Sequence, residues 1–172
     1  IDVISNLVEH HLARAATAGA SSFSASNVSV LNTATSICQS LEKIFAGENR
    51  HGHIDIPPSL MFRGEREDLE EIVGNILENA FKWAKHNIYV KASIEIDGLR
   101  LIVFDDGPGM PDDKMQNSLD RGKRLDEMTP GHGLGLSIVA DLVALYEGEL
   151  TLGTALTGGL SVTIVFPTNC MP

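Results

Sequence analysis

Apolar residues recur along this chain at two periods, and each change of period marks an expected change of element. Ile4, Leu7, Val8, His11, Leu12 and Ala15 fall along one side of a helix over residues 1 to about 18, because three- and four-residue spacing returns a side chain to the same face. The pattern dissolves into "TAGASSFSASN", a small-residue linker. Asn27 or Ser29 would cap a second helix through Val30, Leu31, Ala34, Ile37, Cys38, Leu41 and Ile44, ending near Gly47. "GENRHG" reads as a turn, "HIDIP" as a short strand stopped by Pro57 and Pro58, and "LMFRG" as a second short strand.

The longest periodic segment is "EREDLEEIVGNILENAFKWAK", where Leu69, Val73, Ile76, Leu77, Ala80, Phe81 and Ala84 form an apolar stripe of the kind a core takes up. The period then falls to two. "NIYVKASIEIDGLRLIVFDDG" predicts two strands joined at Asp97-Gly98, a pair that accepts the positive φ angles of a type I′ turn. "GPGMPDDKMQNSLDRGKRLDEMTPG" is a long, charged, poorly periodic stretch, and a loop of that length in a compact domain is usually functional or disordered. A glycine cluster then runs straight into the helical pattern "GHGLGLSIVADLVALYEG", and "GELTLGTALTGGLSVTIVFP" reads as a terminal hairpin. This order fits an α/β two-layer sandwich, a sheet with helices on one face.

Composition narrows the setting. A chain of 172 residues, 43% of them hydrophobic, has the size of one generous domain or a small domain with an appendage, and can bury a sizeable core. Its net charge of −10 argues against nucleic acid or an anionic membrane as partner. No apolar run approaches the roughly 20 residues that span a bilayer, and no signal peptide is visible. The start without Met, inside a helical pattern, suggests a piece of a longer protein. Cys38 and Cys170 follow no metal or redox spacing. A reducing cytoplasm is the simplest compartment, with both thiols structural or incidental.

Three stretches could carry chemistry. Glu71, Asn75, Asn79 and Lys82 form one line along the long helix, opposite its apolar stripe. A solvated face would explain Glu71 and Lys82, but Asn is a mediocre helix former, so its repetition suggests that amide oxygens are wanted there. Such an oxygen suits Mg²⁺, which shares its shell with water and phosphate, and a lysine one turn on can meet a phosphate. In "FDDGPGMP" an acidic residue ends an apolar strand and two glycines follow. The plain reading is a strand exit. The functional one is a buried carboxylate accepting from an exocyclic amine while a flat ring such as adenine lies against bare backbone. Third, Gly131, Gly133 and Gly135 open a helix, where free N–H groups and the helix dipole favour an anion. Arg121, Lys123 and Arg124 stand just upstream, as mere surface or as a lid over phosphates.

In order, "NILENAFKWA", "DDGPGMP" and "GHGLGLSIV" resemble the N, G1 and G2 boxes of the GHKL-type (Bergerat) ATP-binding domain of bacterial sensor histidine kinases, over about residues 55 to 167. "DRGKR" and "HHLARA" look most like the PhoQ branch of these kinases. The resemblance implies a mixed sheet with helices on one face, and ATP and Mg²⁺ as cofactors. It implies that Asn79 holds Mg²⁺ with Asn75 as a supporting contact, that Lys82 reaches the phosphates, and that Trp83 lies beside the nucleotide. Asp105, rather than Asp106, would bind the adenine amino group, with Gly107 and Gly109 shaping the base pocket. Arg121 and Arg124 would act from the lid. Gly131, His132, Gly133, Leu134 and Gly135 would form the hinge and phosphate cradle. Glu71 is assigned the orienting of an attacking imidazole.

Two departures from the family pattern stand out. The phenylalanine-rich box between G1 and G2 is degraded, with Leu119 where Phe is common, and no phosphoacceptor motif follows His10 or His11. Residues 1–26 are therefore read as the end of a dimerisation-domain helix plus linker, and 27–172 as the catalytic ATP-binding domain. The implied partners are the protein's own dimerisation and phosphoacceptor domain, as a homodimer, and a response regulator. The implied location is the cytoplasmic portion of an inner-membrane sensor, touching the membrane only through segments outside this chain. The alternatives are a GHKL-type ATPase that hydrolyses ATP, with Glu71 or Glu78 nominated as its base, or a non-catalytic nucleotide-sensing module.

Overall fold

Ser29 accepts a hydrogen bond from the Asn32 N–H at 3.2 Å and so caps helix α1, Val30–Ile44, satisfying one of the donors a helix start leaves open. The computed structural model describes residues 26–112, 114–115 and 134–171. The helix expected over residues 1–18, most of the linker and the charged stretch before the G2 box lie outside them.

The long apolar stripe forms helix α2, Arg66–Trp83, and each of its predicted core positions is buried, with Ala84 just past the end. A third helix, α3, spans Leu134–Leu145. Strand β1 (Ser26–Ser29) pairs antiparallel with β3 (Met61–Gly64). The other strands are β2 (His51–Asp55), β4 (Asn87–Glu95), β5 (Gly98–Asp105), β6 (Glu149–Thr154) and β7 (Leu160–Phe166). They form one sheet in the order β2-β4-β5-β7-β6, parallel between β2 and β4 and antiparallel elsewhere.

The three helices lie over this sheet with α2 in the middle, packed between α1 and α3. Between the layers sit Leu69, Val73, Ile76 and Phe81 from α2, Leu99, Leu101 and Val103 from β5, and Val162, Ile164 and Phe166 from β7. Alternate residues of β5 share the inner face, and Asp105 is the last of that series. The expected two-layer sandwich with a mixed sheet is the fold observed.

Three local expectations change. The segment read as linker ends in β1, a mostly polar strand with only Val28 buried; it exists because β3 offers a ladder, which no local pattern announces. Strand β2 begins at His51, inside the predicted turn, because the parallel pairing with β4 runs from His51 opposite Asn87 to Asp55 opposite Lys91. The β4–β5 connection is not type I′, since neither Ile96 nor Asp97 has a positive φ. Gly98 instead pairs with Glu95 and takes φ +135, and a Cβ there would lie 1.9 Å from the Phe166 carbonyl oxygen. The glycine serves both its own positive φ at the hairpin and the approach of β7.

Both cysteines are free and buried, and burial pushes the Cys38 thiol up to about 11, so it stays protonated near neutrality. Among the described residues no helix is long and apolar enough to cross a membrane.

The far end of α3 is tied to the start of α2. The Tyr146 hydroxyl donates to the buried Asp68 carboxylate at 2.6 Å and accepts from the Glu65 N–H at 3.0 Å, while its ring stacks edge-on against Phe62. Tyr146→Phe keeps the ring and removes both bonds. It is expected to cost about 2 kcal/mol of stability, because one of the bonds goes to a charged group. A urea titration checks this; an unchanged midpoint would remove the tie from the account of stability.

Candidate functional site

Asp105 ends the central strand of the sheet on its inner face and is only 3% exposed. Its Oδ1 accepts the Gly107 N–H at 2.7 Å. Burial pushes the carboxyl above its ordinary range, and the neighbouring Asp106 adds to this, against the opposing pull of the Gly107 and Leu160 N–H groups. A buried acid that burial holds above its ordinary range, even with these N–H partners, is of the kind found at ligand sites.

The adjacent acid has a different environment. Asp106 Oδ1 accepts the N–H groups of Lys85 (2.8 Å) and His86 (2.9 Å), and Oδ2 accepts the Asn87 N–H and side-chain amide, both at 3.0 Å. Burial works against its ionisation, but these donors from His86, Asn87 and Lys85 hold the carboxyl down at about 2. With all its acceptor capacity spent on the chain, Asp106 has none for a ligand. The two carboxylates of "DDG" thus divide, with Asp105 at the core's edge and Asp106 in the scaffold.

The glycines around Asp105 make room for protein backbone. A Cβ on Gly107 would come within 2.3 Å of the Trp83 carbonyl oxygen, so the exit of β5 lies directly against the last turn of α2. Gly109, at φ +74, faces the Gly158 carbonyl oxygen, which a Cβ would approach to 2.8 Å.

Of the predicted line on α2, only the last turn is brought to the β5 exit, and the line does not lie wholly opposite the core. Glu71, Asn75 and Asn79 are half-buried because flanking helices cover α2 on both sides, whereas Lys82 and Trp83 are exposed. Glu71 and Asn75, with Ser36, Ser40, Gly74 and Glu78, line an open groove of about 370 Å³ between α1 and α2. Asn75 donates to the Glu71 carbonyl oxygen at 2.7 Å. Its Oδ1 lies 2.9 Å from where a Cβ on Gly135 would be, so Gly135 allows α3 to pack closely on α2. Asn79 makes no side-chain hydrogen bond to any described residue, one turn before the Trp83 carbonyl that abuts Gly107. Lys82 Nζ sits 5.7 Å from the centre of the Trp83 ring. The Gly135 position at the start of α3 is described, while Arg121, Arg124, Gly131, His132, Gly133 and the side chain of Leu134 lie outside the described residues.

One part of the site was not legible as such. The hairpin between β6 and β7 folds onto Asp105: the Thr157 hydroxyl donates to the Asp105 carbonyl oxygen at 2.5 Å. A Cβ on Gly159 would lie 2.3 Å from both that oxygen and Oδ1. The Gly158-Gly159 pair was the available signal, but a glycine pair at a hairpin tip looks like a turn until the strand order is known.

The described donor set is therefore a buried carboxylate at the end of β5, a half-buried amide with no described partner on α2 and a lysine beside an exposed indole. It offers an acceptor for an amine, a neutral oxygen suited to a hard cation and a positive charge for an anion. A model of the histidine kinase-, DNA gyrase B-, and HSP90-like ATPase family matches residues 64–169, more than half of the chain. Sensor protein PhoQ of Escherichia coli K12 is 31% identical over 166 residues, 96% of this chain and 34% of that protein. The virulence sensor histidine kinase PhoQ of Salmonella typhimurium strain 14028s is 34% identical over 130 residues, 76% of this chain and 27% of that protein. The chain thus spans about a third of the length of the curated relatives it matches. Among solved structures, the mycobacterial sensor histidine kinase MprB superposes with a TM-score of 0.70 at 24% identity, over 83% of this chain and 97% of that one. The catalytic domain of histidine kinase ThkA gives 0.74 at 16% identity, over 86% and 97%. Full-length ShkA in complex with AMPPNP gives 0.71 at 23% identity, over 87% and 32%. Matched over its described boxes and by a fold of the same kind, the chain belongs to the histidine kinase-, DNA gyrase B-, and HSP90-like ATPase family.

Proposed function

We propose that this chain is the ATP-binding catalytic domain of a two-component sensor histidine kinase. It would transfer the γ-phosphoryl group of ATP to a histidine on a dimerisation domain outside this chain, from which a response regulator would receive it. The observation that carries the reading is the meeting of the β5 exit with the last turn of α2: Asp105 and the Asn79–Trp83 turn belong to one end of the molecule. The relatives named as sensor kinases support it, and so does the ShkA structure with a bound ATP analogue.

Each described residue has a role that its setting suits, and the others take theirs from the family pattern. Asp105 accepts a hydrogen bond from the adenine amine, and Gly107 and Gly109 shape the base pocket by letting the β5 exit lie close against Trp83 and Gly158. Asn79 fits Mg²⁺ through a neutral amide oxygen that no described residue occupies, with Asn75 in support; the ion, when bound, would neutralise phosphate charge. Lys82, Arg121 and Arg124 offset the remaining charge. Gly131, His132, Gly133, Leu134 and Gly135 are assigned to the phosphates, on the principle that free N–H groups at a helix start favour an anion. Trp83 flanks the nucleotide. Phosphoryl transfer asks the protein chiefly for such positioning and charge balance. An imidazole nitrogen of the partner domain forms the new N–P bond as the bond to the β–γ bridging oxygen breaks, and ADP leaves. Glu71, at the groove between α1 and α2, would orient that imidazole. The catalytic portion would work in the cytoplasm.

A titration with a non-hydrolysable ATP analogue and Mg²⁺ is expected to shift backbone NMR signals of α2, the β5 exit and α3 together. Given labelled ATP, the chain alone is expected to remain unlabelled and to pass phosphate only to an added dimerisation domain. Steady ATP turnover by the isolated chain would favour a hydrolase instead. Nucleotide binding without transfer to any such domain would favour a sensing module.

A further inference from the structure

The last turn of α2 and the segment that follows it are held by two charges that lie outside the three boxes' assigned roles. The Arg50 guanidinium donates to the carbonyl oxygens of Phe81 and, at 3.3 Å, Lys82, the groups a helix end leaves open and makes negative. Glu48 steadies Arg50 at 2.7 Å. Asp106 gathers Lys85, His86 and Asn87 through four accepted hydrogen bonds. Its own N–H donates to the Asn87 carbonyl oxygen at 3.2 Å. About twenty residues of chain separate Asp106 from that segment, so this ring of bonds is a cross-link between two elements and not a local turn.

We propose that Asp106 is a positioning residue that sets the separation between the two ends of the nucleotide site. Asp105 and Gly107 stand on its own strand exit, and Asn79, Lys82 and Trp83 stand on the helix that runs into residues 85–87. A carboxylate binding three successive N–H groups fixes both the distance and the twist between these parts. This inference rests on the functional reading above, which makes one part the base end of the site and the other the phosphate end. A ligand spanning both gains from their fixed spacing, as any two linked contacts do when the linker matches the span. A ligand touching one end gains nothing. Misplacement by about 1 Å in such a site can cost up to about 100-fold.

The test compares three probes on the 172-residue chain with Mg²⁺ present: ATP, adenosine and inorganic tripolyphosphate. Asp106→Ala is expected to weaken ATP at least about tenfold while adenosine and tripolyphosphate each stay within about twofold, because each end survives and only their alignment is lost. Asp106→Asn, which keeps one accepting oxygen, should fall between wild type and Asp106→Ala, and it carries the test if the alanine variant does not fold. ATP affinity unchanged in a folded variant overturns the inference. So does a parallel loss of all three probes, which would mark a general structural role. A wild-type chain that binds none of the three overturns the functional reading, and this inference with it.

Discussion

Asp105→Asn is expected to weaken ATP binding about 100-fold, equivalent to about 2.7 kcal/mol, without lowering the stability of the fold. The two side chains are nearly the same size, so the argument is one of donors and acceptors. Oδ1 already accepts the Gly107 N–H at 2.7 Å. If the asparagine oxygen keeps that bond, its NH₂ faces the adenine amine, donor against donor. If it flips, the NH₂ faces Gly107 instead. Either orientation loses one bond. A purine with an oxygen at that ring position, such as that of ITP, should suffer less, so the ratio of ATP to ITP affinity reports on the contact itself. An unchanged ratio would sink the base-site assignment.

The sign of the pH dependence follows from the same carboxyl. Burial raises its pKa above the ordinary 3.8, so in the window from 3.8 up to that raised value the folded state holds more protons than the unfolded one. Stability from this group therefore falls as pH rises through the window. Neutral Asn removes that penalty, which is why the variant should be no less stable near neutrality. Binding runs the other way, because the carboxyl accepts best when ionised. Wild-type ATP affinity should drop in acid at a pH above the usual carboxylate range, and the variant should lack that step. Calorimetric titrations across pH check both.

Asn79→Ala is expected to reduce affinity for Mg·ATP by at least about 100-fold, the upper end of what losing a mere supporting group costs at a metal site. The fold should not suffer. Asn79 is half-buried and its side chain makes no hydrogen bond to a described residue, and alanine is the better helix former by a few tenths of a kcal/mol. The decisive comparison is ATP with and without Mg²⁺. Wild type should bind better with the ion, and the variant should bind equally with and without it. A variant that keeps the advantage of Mg²⁺ would leave the metal to another residue.

Much of this fold was legible before any coordinates. The stripe from Leu69 to Ala84 announced α2 and its buried face, because a helix between two layers needs every third or fourth residue apolar. The apolar run from Leu99 to Phe104, broken only by Arg100, announced β5 with an acid at its end. Other parts were silent. β1 is polar and short, and exists only through β3. The turn at Asp97-Gly98 carried a hairpin signal, but it did not show that Phe166 also lies against Gly98. Gly135 was read as serving a phosphate, and its contact with Asn75 gives it a second reason, the close packing of two helices.

The sequence by itself determined which segments become helix or strand, which face of each is buried, and that amides, an acid and glycines occur in an order known from one family. Those properties depend on spacing along the chain, and spacing is what a sequence contains. The resemblance had already preferred Asp105 to Asp106, but only the tertiary structure gave the physical reason, since Asp106 is satisfied by residues 85–87 and Asp105 is pressed into the core. It also decided that the terminal hairpin, through Thr157 and Gly159, closes over the same acid. Both outcomes come from contacts between parts of the chain some 20 to 50 residues apart, and a partner at that distance leaves no periodic trace in the sequence.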